Sequence, residues 1–228
     1  MLSRSFLIQR GYCCGHGCLM CPYIPKHTKG NTNMKQSKIL IVSALEVETQ
    51  GQLNAYDVVY TGVGKVNATY EMTKFVESWG SEFPYDLVIN YGTAGSRKIK
   101  KKTLVDCTKF VQRDMDVTGL GFMRGETPFE KEPPLMLESK SDFNPIGRNA
   151  TCGTGDCFVE DKSQYYGEVV DMEAYALAKV CYLYDIPFIS FKYITDGADE
   201  QAHEDWEANL ADGIQEFKSQ VLAHTDIT

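Results

Sequence analysis

Short, largely apolar runs recur along this chain, and they constrain its fold more than any other feature. Ile39-Leu40-Ile41-Val42-Ser43-Ala44, Tyr56 to Thr61, Leu87-Val88-Ile89-Asn90-Tyr91 and Pro187 to Ile194 lack the strict apolar and polar alternation of a half-exposed strand. They are predicted as strands covered on both faces, which requires helices packed above and below. Val66 to Val76 carries apolar residues at helical spacing and supplies one of them. Thr103 to Gln112, Ala150 to Gly153 and Gly167 to Val170 read as further strands, and Gly92-Thr93-Ala94-Gly95 as the break after Tyr91. Asp114 to Asn149 is punctuated by Gly and Pro and predicts long loops, while Trp206 to Val221 predicts one closing amphipathic helix. The class is α/β, and 228 residues suffice for one sizeable core.

Charge and hydropathy narrow the partners. A net charge of -8 and a pI near 5.1 disfavour a phosphate-backbone surface. Arg97-Lys98-Lys100-Lys101-Lys102 is the densest basic cluster and reads as a solvated loop. No run reaches membrane-spanning length, and the N-terminus is interrupted by Cys, Gly and His where a secretory core would lie. A cytoplasmic chain without nucleic-acid or membrane partners is expected.

Of eight cysteines, Cys107, Cys152, Cys157 and Cys181 are scattered and read as reduced thiols, whereas Cys13, Cys14, Cys18 and Cys21 crowd together near His16 and His27. The cluster is chemically adequate for tetrahedral zinc but lacks a second well-spaced pair; a Cys-rich tail without metal is the alternative, and the prediction assigns no metal. Residues 1 to 23 resemble small uncharacterised Cys-rich modules sharing a Cys-Cys-Gly-x-Gly-Cys-x-x-Cys-Pro-Tyr core. The expected organisation is a Cys-rich module over 1–25, a polar linker over 26–37 and a catalytic domain over 38–228. Met34 leaves open whether residues 1–33 belong to the functional protein.

Val170-Asp171-Met172-Glu173-Ala174 carries two carboxylates into the start of a buried helix, where unpaired charge is costly. One explanation is a charge favoured by the helix macrodipole; the other is a carboxylate that binds ligand hydroxyls. Other segments occur in the same order as in a known family: Ala44-Leu45-Glu46-Val47-Glu48, Gly62-Val63-Gly64-Lys65-Val66-Asn67-Ala68, Asn90 to Gly95, Asp114-Met115-Asp116-Val117-Thr118, Gly155-Asp156-Cys157-Phe158-Val159 and Ile194-Thr195-Asp196-Gly197-Ala198-Asp199. From roughly residue 38 to 225 the chain resembles the nucleoside phosphorylase/nucleosidase superfamily, most nearly its methylthioadenosine/S-adenosylhomocysteine nucleosidases.

The resemblance implies a three-layer α/β/α fold with a mixed central sheet, no cofactor, and a role for each motif. Asp196 would protonate N7 of the purine, a task that needs a raised pKa. Glu48 would activate the attacking water; strand-like alternation does not separate it from its neighbour Glu46. Glu173 would bind the ribose hydroxyls and Met172 the sugar face. Phe158 would stack on adenine while the backbone of Val159 reads its edge. Thr93 would sit near sugar and water, and Lys192 stands where the nucleosidases carry an arginine. Val117, Leu120 and Phe122 match the loop that, in relatives, completes the 5′ pocket of the adjacent subunit, so a homodimer is expected.

Phosphorylases of the superfamily clamp phosphate with several arginines, and no arginine occurs here between Arg10 and Arg97. Lys65 alone is a thin clamp, so water is the expected nucleophile. A phosphorylase, a futalosine-type hydrolase and a non-catalytic nucleoside-binding protein remain as alternatives. A dinucleotide-binding domain is disfavoured, because Gly62-Val63-Gly64 lacks the third spaced glycine.

Overall fold

The structure, a computed structural model, describes residues 10–16, 28–30, 38–132 and 134–225. Contacts divide the chain into a unit of residues 1–38 with 226–228 and a unit of Ile39–Thr225. In the first, the Gly30 N–H donates to the Cys13 carbonyl at 2.8 Å, and Cys13 is buried. Cys18, Cys21, His27 and Met34 lie outside the described residues. Among the described residues no group of three or more metal-capable side chains converges.

The second unit is built on one mixed sheet of eight strands: β1 (Ile39–Ser43), β2 (Asp57–Tyr60), β3 (Leu87–Gly95), β4 (Leu104–Gln112), β5 (Leu137–Glu138), β6 (Ala150–Thr154), β7 (Val169–Asp171) and β8 (Phe188–Asp196). β2, β1, β3 and β8 run parallel in that order; β8 then pairs antiparallel with β4. β4 pairs parallel with β6, β6 with β7, and β7 returns to β3 through Gly95 and Val170, so five strands close on one another. β1 and β8 are buried at every position; β1 is apolar up to Ser43, as burial on both faces requires, whereas β8 also carries Ser190, Lys192, Thr195 and Asp196.

Helices cover both faces. α1 (Glu46–Thr49) is a single turn after β1; α2 (Lys65–Glu77) and α3 (Ala174–Leu183) pack together; α4 (Ala202–Asn209) and α5 (Gly213–Gln220) follow β8. Ala68, Met72 and Val76 of α2 and Leu177, Val180 and Cys181 of α3 join Leu40, Val42, Val88 and Phe110 in one core. Tyr91 points the other way and stacks on Phe217 of α5 with ring centroids 4.4 Å apart. This alternation gives the expected three layers.

Three expectations need correction. β2 is not covered on both faces: Asp57 and Tyr60 are exposed and Val58 and Val59 half-buried, because it is the edge strand beside β1. β3 does not end at Tyr91 but continues through Gly95, because Gly92 to Ala94 stay in register with β8 and Gly95 still pairs with it, opposite Asp196, after a one-residue shift. The closing segment is two helices rather than one over 206–221. Asn209 donates to the carbonyls of Asp205 (2.8 Å) and Thr195 (2.9 Å), fastening the end of α4 to β8, and the chain turns with the Asp212 N–H on the Asn209 carbonyl.

Candidate active site

A cavity of about 230 Å³ lies where β1, β3 and β8 end; each of the superfamily motifs except Asp114-Met115-Asp116-Val117-Thr118 contributes to its lining, whereas Lys192 and the 117–122 loop do not. This is where ligands enter open α/β sheets, beyond the carboxyl ends of parallel strands. Glu48, Thr93, Phe158, Val159, Met172, Glu173 and Asp196 all face it.

Glu48 owes its place to the single turn of α1, which buries it and leaves Glu46 exposed. Oε1 accepts from Thr93 N (2.8 Å) and Thr93 Oγ1 (2.9 Å); Oε2 accepts from Ser43 Oγ and Leu45 N, both at 3.1 Å. Four donors thus converge on two oxygens, about the number a carboxylate accepts. Asp196 closes β8, taking hydrogen bonds from Ala198 N and Thr195 Oγ1, both at 2.9 Å. Burial pushes its pKa up, the nearby charges of Asp205 and Asp199 add to this, and the two hydrogen bonds only partly oppose it.

The glycines of β3 make room for both carboxylates. A Cβ at Gly95 would lie 2.4 Å from Asp196 Oδ1, and one at Gly92 3.3 Å from Glu48 Oε1. The two carboxylates therefore approach β3 at glycines three positions apart.

Glu173 lines the same cavity from the residue just before α3, with Oε1 accepting from Gly64 N at 2.9 Å. Burial and the adjacent charge of Asp171 raise its pKa to about 8, against the pull of Lys192 and the Gly64 N–H. A raised pKa means that its contribution to stability is complete below its ordinary value of 4.5 and is lost as pH rises through about 8. Stability is expected to fall by roughly 2 kcal/mol between pH 6 and 9 on this account, and Glu173→Gln should flatten that slope in urea titrations at the two pH values.

Asp171 takes the role of helix charge. Its Oδ2 accepts from Ala174 N and from Lys192 Nζ, each at 2.8 Å, and Oδ1 from Thr154 Oγ1 at 2.5 Å. Burial would neutralise the pair; Lys192 instead holds Asp171 below its usual value, and Asp171 with its neighbours holds Lys192 above its own. Lys192 therefore lies behind the cavity wall, bonded to Asp171, rather than among the lining residues.

Several lining residues were not anticipated. Arg113 at the end of β4 is buried, with Nη2 donating to the carbonyls of Gly155 (3.1 Å) and Cys157, and Nη1 to Cys157 Sγ at 3.1 Å. It directly precedes Asp114-Met115-Asp116, but nothing in its local sequence marks it. His203 stands edge-on to Phe158 at 6.4 Å, and Trp206 donates from Nε1 to Thr93 Oγ1 at 3.0 Å. Val117, Leu120 and Phe122 lie outside the lining, and Leu120 is 75% exposed.

Comparison with known proteins shows the family. The sequence model of the phosphorylase superfamily matches residues 48–224. The chain belongs to the phosphorylase superfamily. Residues 1–29 match a second family, one of unknown function. Among relatives within the superfamily, the 5′-methylthioadenosine/S-adenosylhomocysteine nucleosidase of Exiguobacterium sp. (strain ATCC BAA-1283 / AT1b) is 30% identical over 199 residues, 77% of this chain and 83% of its own. That of Baumannia cicadellinicola is 28% identical over 207 residues, covering 78% and 89%. Solved superfamily folds superpose well. The native futalosine hydrolase of Helicobacter pylori strain 26695 gives a TM-score of 0.69 at 24% identity, covering 79% of this chain and 93% of its own. The S-adenosylhomocysteine nucleosidase of Streptococcus pyogenes gives 0.65 at 22% identity, covering 78% and 91%.

Proposed function

We propose that this protein is a purine nucleosidase that hydrolyses the N-glycosidic bond of a 5′-modified adenosine of the methylthioadenosine type, releasing adenine and a ribose derivative. The observation that carries the proposal is the pair of buried carboxylates, Asp196 and Glu48, lining one cavity, the first with its pKa raised. Protonated Asp196 gives its proton to N7. The C1′–N9 bond then breaks with its electron pair going to the purine. Glu48 takes a proton from water as the water oxygen bonds to C1′. Glu173 accepts from the 2′ and 3′ hydroxyls as the sugar gains oxocarbenium character. Phe158 stacks on the base, the Val159 backbone reads its edge, and Met172 packs on the sugar.

Two engaged cations favour water over phosphate. Lys65 is held by Asp114 at 2.6 Å and Asp156 at 3.8 Å, and both Nη atoms of Arg113 are committed to Gly155 and Cys157. Among the described residues no arginine cluster is left to clamp a phosphate.

In this reading Val117, Leu120 and Phe122 of a second copy complete an apolar 5′ subsite in a homodimer. Adenine release, followed by ultraviolet absorbance, is expected from methylthioadenosine and S-adenosylhomocysteine. Adenosine 5′-phosphate should react at least about 100-fold more slowly, the cost of desolvating a charged group in an apolar subsite. Equal turnover of the phosphate would contradict the apolar subsite, and binding of methylthioadenosine without adenine release would make the protein a nucleoside binder.

A further inference from the structure

We propose that Trp206 is a positioning residue for the water-activating carboxylate, acting through Thr93, an inference that rests on the nucleosidase reading for its kinetic consequences. The two hydrogen bonds form a chain whose direction is fixed by chemistry. An indole N–H can only donate, so Trp206 Nε1 gives its hydrogen to Thr93 Oγ1 at 3.0 Å. Thr93 Oγ1 has one hydrogen of its own, and the neighbour that takes it is Glu48 Oε1 at 2.9 Å. The Thr93 backbone N–H reaches the same oxygen at 2.8 Å. Thr93 therefore supplies both donors on Oε1, and Trp206 selects the hydroxyl orientation in which one of them is made. A hydroxyl that already accepts from a donor is also the more polarised as a donor, so the chain strengthens toward the carboxylate.

The helix that carries Trp206 also reaches the Asp196 side of the site. Asn209, three residues on, is buried and donates to the Thr195 carbonyl at 2.9 Å, next to Asp196. Lys101 pairs with Asp205 of the same helix at 2.6 Å. α4 is thus fastened beside the acid and linked through Thr93 to the base, and both Trp206 and His203 line the cavity. Seating this one helix sets the geometry of both carboxylates. Sequence reading missed it because neither Trp206 nor Asn209 belongs to a motif; their partners lie 113 and 14 residues away.

The test separates an indole N–H from an indole ring. Trp206→Phe keeps an aromatic ring and removes the donor. With methylthioadenosine as substrate, kcat is expected to fall about tenfold while KM changes less than about twofold. Thr93→Val should lower kcat at least as much, and the double variant should be no slower than Thr93→Val within about twofold, since both changes break one chain. Substituting 7-azatryptophan at position 206, which keeps the N–H, should restore kcat.

A second readout does not need turnover. The chain has two tryptophans, Trp79 and Trp206, so the nuclear magnetic resonance spectrum holds two indole N–H signals, one assigned by its absence in Trp206→Phe. In Thr93→Val the Trp206 signal should move and exchange faster with solvent, while that of Trp79 stays in place and reports an intact fold. A Trp206 signal indifferent to Thr93→Val, a kcat unchanged in Trp206→Phe, or additive losses in the double variant would overturn the proposal. If the wild type releases no adenine from methylthioadenosine, the nucleosidase reading fails, and the indole signal still decides whether the chain exists.

Discussion

Replacing Asp196 with Asn is expected to lower adenine release from methylthioadenosine by roughly 10³-fold, within the range that a positioned general acid contributes, while the nucleoside still binds. The amide keeps the shape of the side chain and can present its oxygen to the Ala198 N–H, which donates to Oδ1 at 2.9 Å. What it loses is the transferable proton, so the purine must leave as an unprotonated base. The raised pKa of Asp196 makes the carboxyl a proton donor at higher pH than an ordinary aspartate; its cause is burial at the end of β8, with Asp205 and Asp199 nearby. The sign follows directly: wild-type turnover should decline as pH rises through the Asp196 pKa and the proton is lost, and that limb should be absent from the residual activity of Asp196→Asn. Steady-state adenine release against pH, with calorimetric binding of methylthioadenosine to both proteins, checks the prediction. Loss of binding in step with turnover would count against the role of acid.

Glu48→Gln is expected to damage both turnover and stability, which distinguishes it from the change at Asp196. Turnover should fall by roughly 10²- to 10³-fold because no base remains for the water. The stability loss has a separate origin. Four donors face the two oxygens of Glu48, and a glutamine turns one of those oxygens into an amide nitrogen that can only donate. If the nitrogen faces Thr93, the backbone N–H at 2.8 Å is left without an acceptor; if it faces Ser43, that of Leu45 is. The Ser43 and Thr93 hydroxyls can rotate away, but a backbone N–H cannot. One buried unsatisfied donor costs about 1–3 kcal/mol, so a lower melting temperature should accompany the lower rate. A variant as stable as the wild type would mean that the four-donor arrangement does not persist in solution.

Much of the fold was legible because the central strands are buried on both faces. β1 is apolar at four of its five positions, and such a run is visible without any partner in view. Where sequence rules failed, a nearby residue had another demand on it. Gly92 and Gly95 read as breakers of β3, yet the Asp196 carboxylate occupies the space that a Cβ at Gly95 would fill, and the Glu48 carboxylate packs tightly against Gly92. Alternation could not choose between Glu46 and Glu48 because it presumes an extended backbone, whereas that stretch is one turn of helix. Asp171 and Glu173, close in sequence, have different surroundings. Asp171 is the helix-terminal charge, balanced by Lys192. Glu173 is the carboxylate left facing the cavity. Arg113, His203 and Trp206 escaped notice because their contacts join segments far apart in sequence, and no local pattern announces them.

The central claim is that water, activated at Glu48, attacks C1′ of a purine nucleoside whose base is protonated by Asp196. Turnover of methylthioadenosine in ¹⁸O-enriched water containing inorganic phosphate, with mass analysis of both products, tests this most directly. The predicted result is free adenine without label and a sugar carrying one ¹⁸O atom on C1′, at a rate indifferent to phosphate. An unlabelled sugar 1-phosphate, formed at a rate that rises with phosphate, would contradict it.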